Sequence, residues 1–408
     1  AMNRIYLDWA SSAPLLPQAA EAQKQSAYRL FGNPSSLHAY GREARAELEA
    51  ARTQIARAAD AHPDEVVFSS GATEANHLVV GSFFKRTLVK SGAQRRGHIV
   101  ASAIEHASLQ EPFSLLHKMG YTVTFVRPEA DGIVSPDRIA AALSDHTLLV
   151  TLMLINNETG ARQPVRECAA RVREHARRTG RAVHLHTDAV QAFGKLWFSF
   201  HELGVDSAAI SSHKLGGPRG IGALLVRRGA PYETLFSGGG QEQGRRSGTE
   251  NTGGAAGFAA SVSIRVQALD ANLATAERLL ERLLDGLRAI EGVLIIPEGR
   301  SAADTERYSP YILTVCIPPV PGEVLVRTLD DQGFALSTGS ACHSGKKDAT
   351  RILEAQGVTK TIARGALRIS IGPETTVEEI DHFLGALAGI VGPLTKIAGK
   401  SNVRSGRK

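Results

Sequence analysis

The sequence predicts an α/β fold in two domains. Apolar runs of strand length alternate with stretches of helical periodicity. The chain has 408 residues, more than one ordinary domain. Its texture also changes around residues 277–290, from short apolar runs to charged, periodic sequence. These observations place a large domain over 15–260, built around a sheet, and a smaller α+β domain formed by 1–14 and 261–391. A basic, disordered tail is expected over 392–408.

The elements follow in chain order. Ala44, Leu48, Ala51 and Ile55 recur at helical spacing and predict a helix over 41–61. Val66, Val67 and Phe68 form a short strand that runs straight into Ser-Ser-Gly-Ala-Thr-Glu-Ala-Asn. Further strands are expected at 98–102, 122–126, 148–154, 182–186, 208–211 and 223–226, with helices between several of them. Residues 277–290 read as a helix, 311–317 and 367–371 as strands. Thr376 and Glu379 stand in capping-box spacing and open the last helix.

Composition narrows the class. The chain is 43% hydrophobic and 22% charged, which excludes wholesale disorder, collagen and a fibrous coil. No apolar run reaches the roughly 20 residues of a membrane helix, and no basic-then-apolar leader is visible. Three cysteines are no disulfide framework, and the cytoplasm is the expected compartment. The net charge of +6 owes much to Lys396, Lys400, Arg404, Arg407 and Lys408. No aromatic residues interleave with them, which argues against direct nucleic acid binding.

Five segments carry candidate chemistry. The turn Ser69-Ser70-Gly71-Ala72-Thr73 joins a strand to a helix. It is either an ordinary capped turn or a phosphate site at a helix N-terminus. Lys214 sits in a Gly-rich turn after a strand, where a desolvated amine can form a Schiff base. Asp188 ends another strand, in His184-Leu185-His186-Thr187-Asp188, where an acid can face a pyridinium nitrogen. The histidines suggest a metal pair only weakly, because no further ligands stand nearby at zinc spacing, and no metal site is expected. Cys342 lies in a small, polar stretch with His343, Lys346 and Lys347, which favour a reactive thiolate. Cys168 and Cys316 lie on a helix and in an apolar strand and read as inert core thiols. The Gly-rich segment 238–251 is either a surface loop or a loop shaped to meet a phosphate or a second subunit.

Together these segments resemble the cysteine desulfurases of the class V aminotransferase group, in the subgroup similar to the NifS and IscS types. The likeness also rests on Gly32-Asn33-Pro34-Ser35-Ser36-Leu37-His38, Glu105-His106, Asn156-Asn157-Glu158-Thr159-Gly160, His186-Thr187-Asp188-Ala189-Val190-Gln191 and Arg368-Ile369-Ser370-Ile371-Gly372. It covers nearly the whole chain apart from the basic tail.

The resemblance implies a pyridoxal-phosphate-dependent transferase of fold type I, with a mixed, mostly parallel sheet in the large domain. The implied reaction converts L-cysteine to L-alanine and an enzyme-bound persulfide, with a selenocysteine lyase or an aminotransferase-like relative as the alternative. Lys214 would hold pyridoxal 5'-phosphate and move the Cα proton. Asp188 would pair with the ring nitrogen, His106 stack on the ring, and Gln191 and Asn157 sit at its phenolic edge. Ala72, Thr73, Ser211 and His213 would hold the phosphate, with Thr249 reaching in from the other subunit of a homodimer. Asn33 and Arg368 would grip the substrate carboxylate, and Cys342 would take the sulfur. A sulfur-accepting protein, such as an iron–sulfur scaffold, is the implied partner. After the cysteine this chain reads Ala349-Thr350-Arg351-Ile352-Leu353, more basic than the family pattern, which leaves the acceptor open.

Overall fold

Alternate residues of the apolar runs feed opposite faces of one sheet. Val66, Phe68, Val100, Val150, Leu185, Ala208, Ile210, Ala223 and Leu225 pack into a core on one side. Val67, Ile99, Ala101, Leu149, Ala209, Leu224 and Val226 pack into a second core on the other. A sheet buried on both faces needs unbroken apolar strands, which is why these runs lack polar alternation. The coordinates are a computed structural model. It describes the backbone of residues 4–91, 97–339 and 350–405, and the side chains of these except 89–91 and 399–405.

In chain order the strands are β1 (Ile5–Tyr6), β2 (Val66–Ser69), β3 (His98–Ser102), β4 (Thr122–Val126), β5 (Thr147–Thr151), β6 (His184–Asp188), β7 (Ser207–Ser211), β8 (Gly222–Val226), β9 (Leu294–Ile296), β10 (Ile312–Cys316), β11 (Phe334–Ala335) and β12 (Ala366–Ser370). Seven of them form the central sheet in the order β2-β8-β7-β6-β5-β3-β4. It is mixed and mostly parallel: only β8 runs against its neighbours, β2 and β7. The carboxyl ends of β2, β3, β5, β6 and β7 therefore share one edge, the place where open α/β sheets bind ligands. A side chain at Gly222 would meet Gly71 Cα at 2.8 Å, so β8 passes close beneath the turn after β2 only as glycine.

The C-terminal part builds another layer. β9, β10 and β12 form an antiparallel sheet, and β1 pairs with β11 in parallel, Ile5 opposite Phe334. Leu7 and Ala10 join a core whose other members run from Ala276 to Val391, with Leu279, Leu283 and Leu287 on the helix Leu269–Arg288.

The last helix, Val377–Ser405, has the capping box expected of it. Thr376 N donates to Glu379 Oε2 at 3.0 Å and Glu379 N to Thr376 Oγ1 at 3.2 Å. The expectation of a disordered tail from 392 is corrected here, because the helix continues to Ser405 with Pro393 inside it. Leu394 and Ala398 pack against the C-terminal core and carry the helix past the Gly-Pro step that reads as a break. Among the described residues no helix is long and apolar enough to cross a membrane.

Candidate active site

The site begins with what the strand ends deliver. Lys214 follows β7, in a short helical turn Ser212–Lys214. Its Nζ donates to the carbonyls of Ala10 (2.6 Å) and Ser11 (2.8 Å), so the N-terminal segment lies against the lysine. Asp188 ends β6 and is 6% exposed. Its Oδ1 accepts from Val190 N at 3.1 Å and its Oδ2 from Asn76 Nδ2 at 2.9 Å. His106 caps the helix Ala107–Lys118, with Nδ1 accepting from Ser108 N at 3.2 Å.

Lys214, Asp188, His106, Ala72, Thr73, Asn157, Gln191, Ser211, His213 and Arg368 all line one cavity of about 540 Å³. A helix of 20 residues, Ala72–Ser91, starts at its rim and brings an N-terminal positive end to it. His213 Nδ1 lies 3.2 Å from Ser12 Oγ. Burial, with Lys214, Lys195 and Arg219 nearby, pushes the His213 pKa down to about 3, so the ring is neutral.

Arg368, on β12, crosses from the smaller core into the cavity. Its Nη1 donates to Asn157 O at 2.9 Å, and its Nη2 to Asp8 Oδ1 at 2.8 Å and Ser11 Oγ at 2.6 Å. Its Nε is buried without a partner, as is Asn157 Oδ1.

Two expected residues lie elsewhere. Asn33 is exposed, its Oδ1 accepting from Ser35 N at 2.9 Å, and it does not line the cavity. Thr249 is also exposed and outside the lining. Cys342 falls outside the described residues. Cys168 and Cys316 are buried, and burial pushes both thiols up to about 12. The Gly-rich segment is anchored rather than free. Glu242 within it is buried and accepts from Arg52 Nη1 at 2.7 Å, Arg52 Nη2 at 2.8 Å and Phe68 N at 2.8 Å.

Several site residues carried no sequence signal of their own. Lys195 is one turn on from Gln191 and donates from Nζ to Gln191 Oε1 at 2.8 Å, which turns Gln191 Nε2 toward Ala10 O (2.9 Å). Burial, then the nearby cations Lys214, Arg265 and Arg368, pushes Lys195 down to about 7. Glu158 lines the cavity and is pushed up to about 7 by burial, against the pull of Arg368 and Arg351. Gly339, at a φ of 119°, sits where a Cβ would come 3.0 Å from Glu158 Oε2. Arg351 lines the cavity too and donates from Nη2 to Glu105 O at 2.7 Å. Away from the cavity, His62, Glu65 and His201 bring ligand atoms within 4.8 Å of one another. Glu65 there already accepts from His62 N and Arg228 N and lies 2.8 Å from His201 Nε2.

Comparison with known proteins agrees with this geometry. Residues 5–383 match the family "Aminotransferase class-V". The chain is 34% identical over 396 residues to a cysteine desulfurase IscS of Dictyoglomus turgidum, covering 97% of this chain and 96% of that one. It is 35% identical over 390 residues to the mitochondrial cysteine desulfurase of Saccharomyces cerevisiae, covering 94% and 74% respectively. A solved structure of a NifS-like protein superposes with a TM-score of 0.86 at 32% identity, covering 96% of this chain and all of that one (100%).

Proposed function

The chain belongs to the class-V aminotransferase family and is a pyridoxal-phosphate-dependent cysteine desulfurase; we propose that it works through Lys214, Asp188, His106 and Cys342. The observation that carries this assignment is the convergence of Lys214, Asp188 and His106 on one cavity at the carboxyl edge of the sheet.

The cavity suits the cofactor. Its volume is ordinary for a cofactor site, and the buried, unpartnered Asn157 Oδ1 leaves a polar position for a bound group to fill. When bound, pyridoxal phosphate supplies an electron sink that acidifies the Cα proton of the amino acid and weakens its bond to sulfur.

Each residue then has a task. Lys214 attaches the cofactor and carries the Cα proton. Asp188 would pair with the ring nitrogen. His106 would stack on the ring, and Gln191 and Asn157 would hold its phenolic oxygen. Ala72, Thr73, Ser211 and the neutral His213 receive the phosphate, at the end of the helix whose dipole favours an anion. Arg368 draws the substrate carboxylate.

The Cys342 thiolate attacks the substrate sulfur. The carbon–sulfur bond breaks as the sulfur–sulfur bond forms, and the carbon takes up a proton to give alanine. Cysteine and the enzyme thiol thus become alanine and a persulfide, with no outside oxidant.

We further propose a homodimer. Tyr28 (78% exposed), Phe31 (69%), Leu37 (90%) and Tyr40 (56%) are exposed, and the Phe31 and Tyr40 rings lie 5.1 Å apart. Together with Thr249, which is exposed and does not line its own chain's cavity, they support a shared site across a two-fold axis. The proposed domains are 15–260, and 1–14 with 261–391. The persulfide passes to an acceptor protein, such as an iron–sulfur scaffold, in the cytoplasm.

The test is a pulse of cysteine on the cofactor-loaded protein. Alanine should form, and mass spectrometry should find one added sulfur on the peptide holding Cys342. Sulfur on Cys168 or Cys316, or wild-type alanine production by Cys342→Ala, overturns the assignment.

A further inference from the structure

We propose that Asn76 is a positioning residue for Asp188, and that His186 decides which way its amide points. The proposal rests on the desulfurase reading above. Asn76 lies on the helix Ala72–Ser91 and is 0% exposed. Its Nδ2 donates to Asp188 Oδ2 at 2.9 Å and to Ser108 Oγ at 2.8 Å, and its Oδ1 lies 2.9 Å from His186 Nε2. One amide therefore touches three partners that lie 32, 110 and 112 residues away in the sequence.

Proton bookkeeping fixes every direction in this cluster. A carboxylate has no proton to give, so the amide nitrogen must face Asp188. The amide oxygen then accepts from His186 Nε2. Burial holds His186 neutral, its pKa pushed down to about 3, so the ring has one proton and it is on Nε2. Nδ1 must accept, and Ser207 Oγ stands 2.8 Å away to donate; the same hydroxyl is 2.8 Å from His184 Nε2. At the other end, Ser108 Oγ accepts from Asn76 and turns its own proton to His106 Nδ1 at 2.8 Å. The backbone N–H of Ser108 donates to that same nitrogen. His106 thus keeps its ring proton on Nε2.

The consequence is mechanical. Val190 N and Asn76 Nδ2 hold one oxygen of Asp188 each, which fixes the plane of the carboxylate offered to the ring nitrogen. A flipped amide would set Asn76 Oδ1 against that carboxylate. The His186 Nε2 proton opposes the flip, because it would then face the amide's own N–H protons. His186 therefore acts on the cofactor site through Asn76 without touching it, as ligand-orienting groups do behind a metal.

The experiment uses the cofactor-loaded protein and three variants: Asn76→Leu, His186→Leu and His186→Gln. Glutamine places an Nε2 donor close to where the histidine has one; leucine places none. Two readouts are taken without substrate: the dissociation constant for pyridoxal phosphate, and the pH midpoint of its visible absorption band. Asn76→Leu and His186→Leu should weaken cofactor binding about tenfold to a hundredfold, the loss of a hydrogen bond to a charged group. Both should also move the band midpoint by about half a pH unit or more. His186→Gln should stay within about threefold of wild type. Wild-type affinity and midpoint in Asn76→Leu overturn the proposal. So does an equal loss in His186→Gln and His186→Leu, which reads packing and not a donor. If Asn76→Leu does not fold, the two His186 variants decide alone. A protein that behaves as stated here yet makes no alanine from cysteine overturns the proposed function and leaves this assignment standing.

Discussion

Arg368 donates from Nη2 to Asp8 Oδ1 at 2.8 Å, joining a strand near the C-terminus to the first residues of the chain. The guanidinium is almost fully buried (3% exposed) and the carboxylate partly so (18%). Asp8 therefore offers Arg368 the same kind of anion that the substrate brings. Replacing Asp8 with Asn keeps an oxygen at that position and removes the competing charge. The KM for cysteine should fall about threefold with kcat nearly unchanged, a modest Coulombic change at a partly screened site. A raised KM in steady-state kinetics would show that Asp8 holds Arg368 in place and does not compete with substrate.

Lys214→Ala should abolish the yellow colour that survives gel filtration, because the covalent attachment is gone. Alanine production should drop by about 10²–10⁴-fold, the range for removing a positioned proton carrier. Borohydride reduction of the wild type followed by peptide mapping checks the site. A label on Lys195, which donates to Gln191, would move the assignment.

Mixing Lys214→Ala chains with Thr249→Ala chains tests the shared site. A hybrid dimer regains one site with both residues intact, so an equal mixture should recover about a quarter of wild-type turnover. A mixture no more active than its parents, with subunit exchange confirmed by native mass spectrometry, would place Thr249 outside the partner's site.

Glu105 makes a pH-dependent contribution to stability. Burial, helped by the charge of Asp188, pushes its carboxyl up to about 8. Ser102 Oγ and Met153 N hold Oε1, and Oε2 has no partner. The folded value is raised above the unfolded one. Its contribution is therefore fully present below about pH 4 and is lost as pH rises through 8. Glu105→Gln removes that dependence. Between pH 6 and pH 9 the stability of the wild type, from urea unfolding, should fall further than that of the variant, by about 2–3 kcal/mol. Parallel loss in the two proteins would mean Glu105 is already ionised at pH 6.

The sequence by itself determined the sheet and most of the cavity. Strands buried on both faces must be continuous apolar runs, so β3 is legible residue for residue; β4, a partly exposed edge strand, is equally legible, and the others within a few positions. Lys214, Asp188, Thr73, Ser211 and His213 were legible because strand ends and Gly-rich turns are local signals, and parallel strands deliver those ends to one edge. Periodicity carries no information about which distant side chains meet. The bond between Asp8 and Arg368, the cluster of Asn76, Ser108, Asp188 and His186, and the hold of Lys195 on Gln191 exist only because the folded topology sets these elements side by side. The last helix shows the same limit. Gly392 and Pro393 read locally as a stop, but Leu394 and Ala398 gain a core to pack against, and that burial outweighs the local signal.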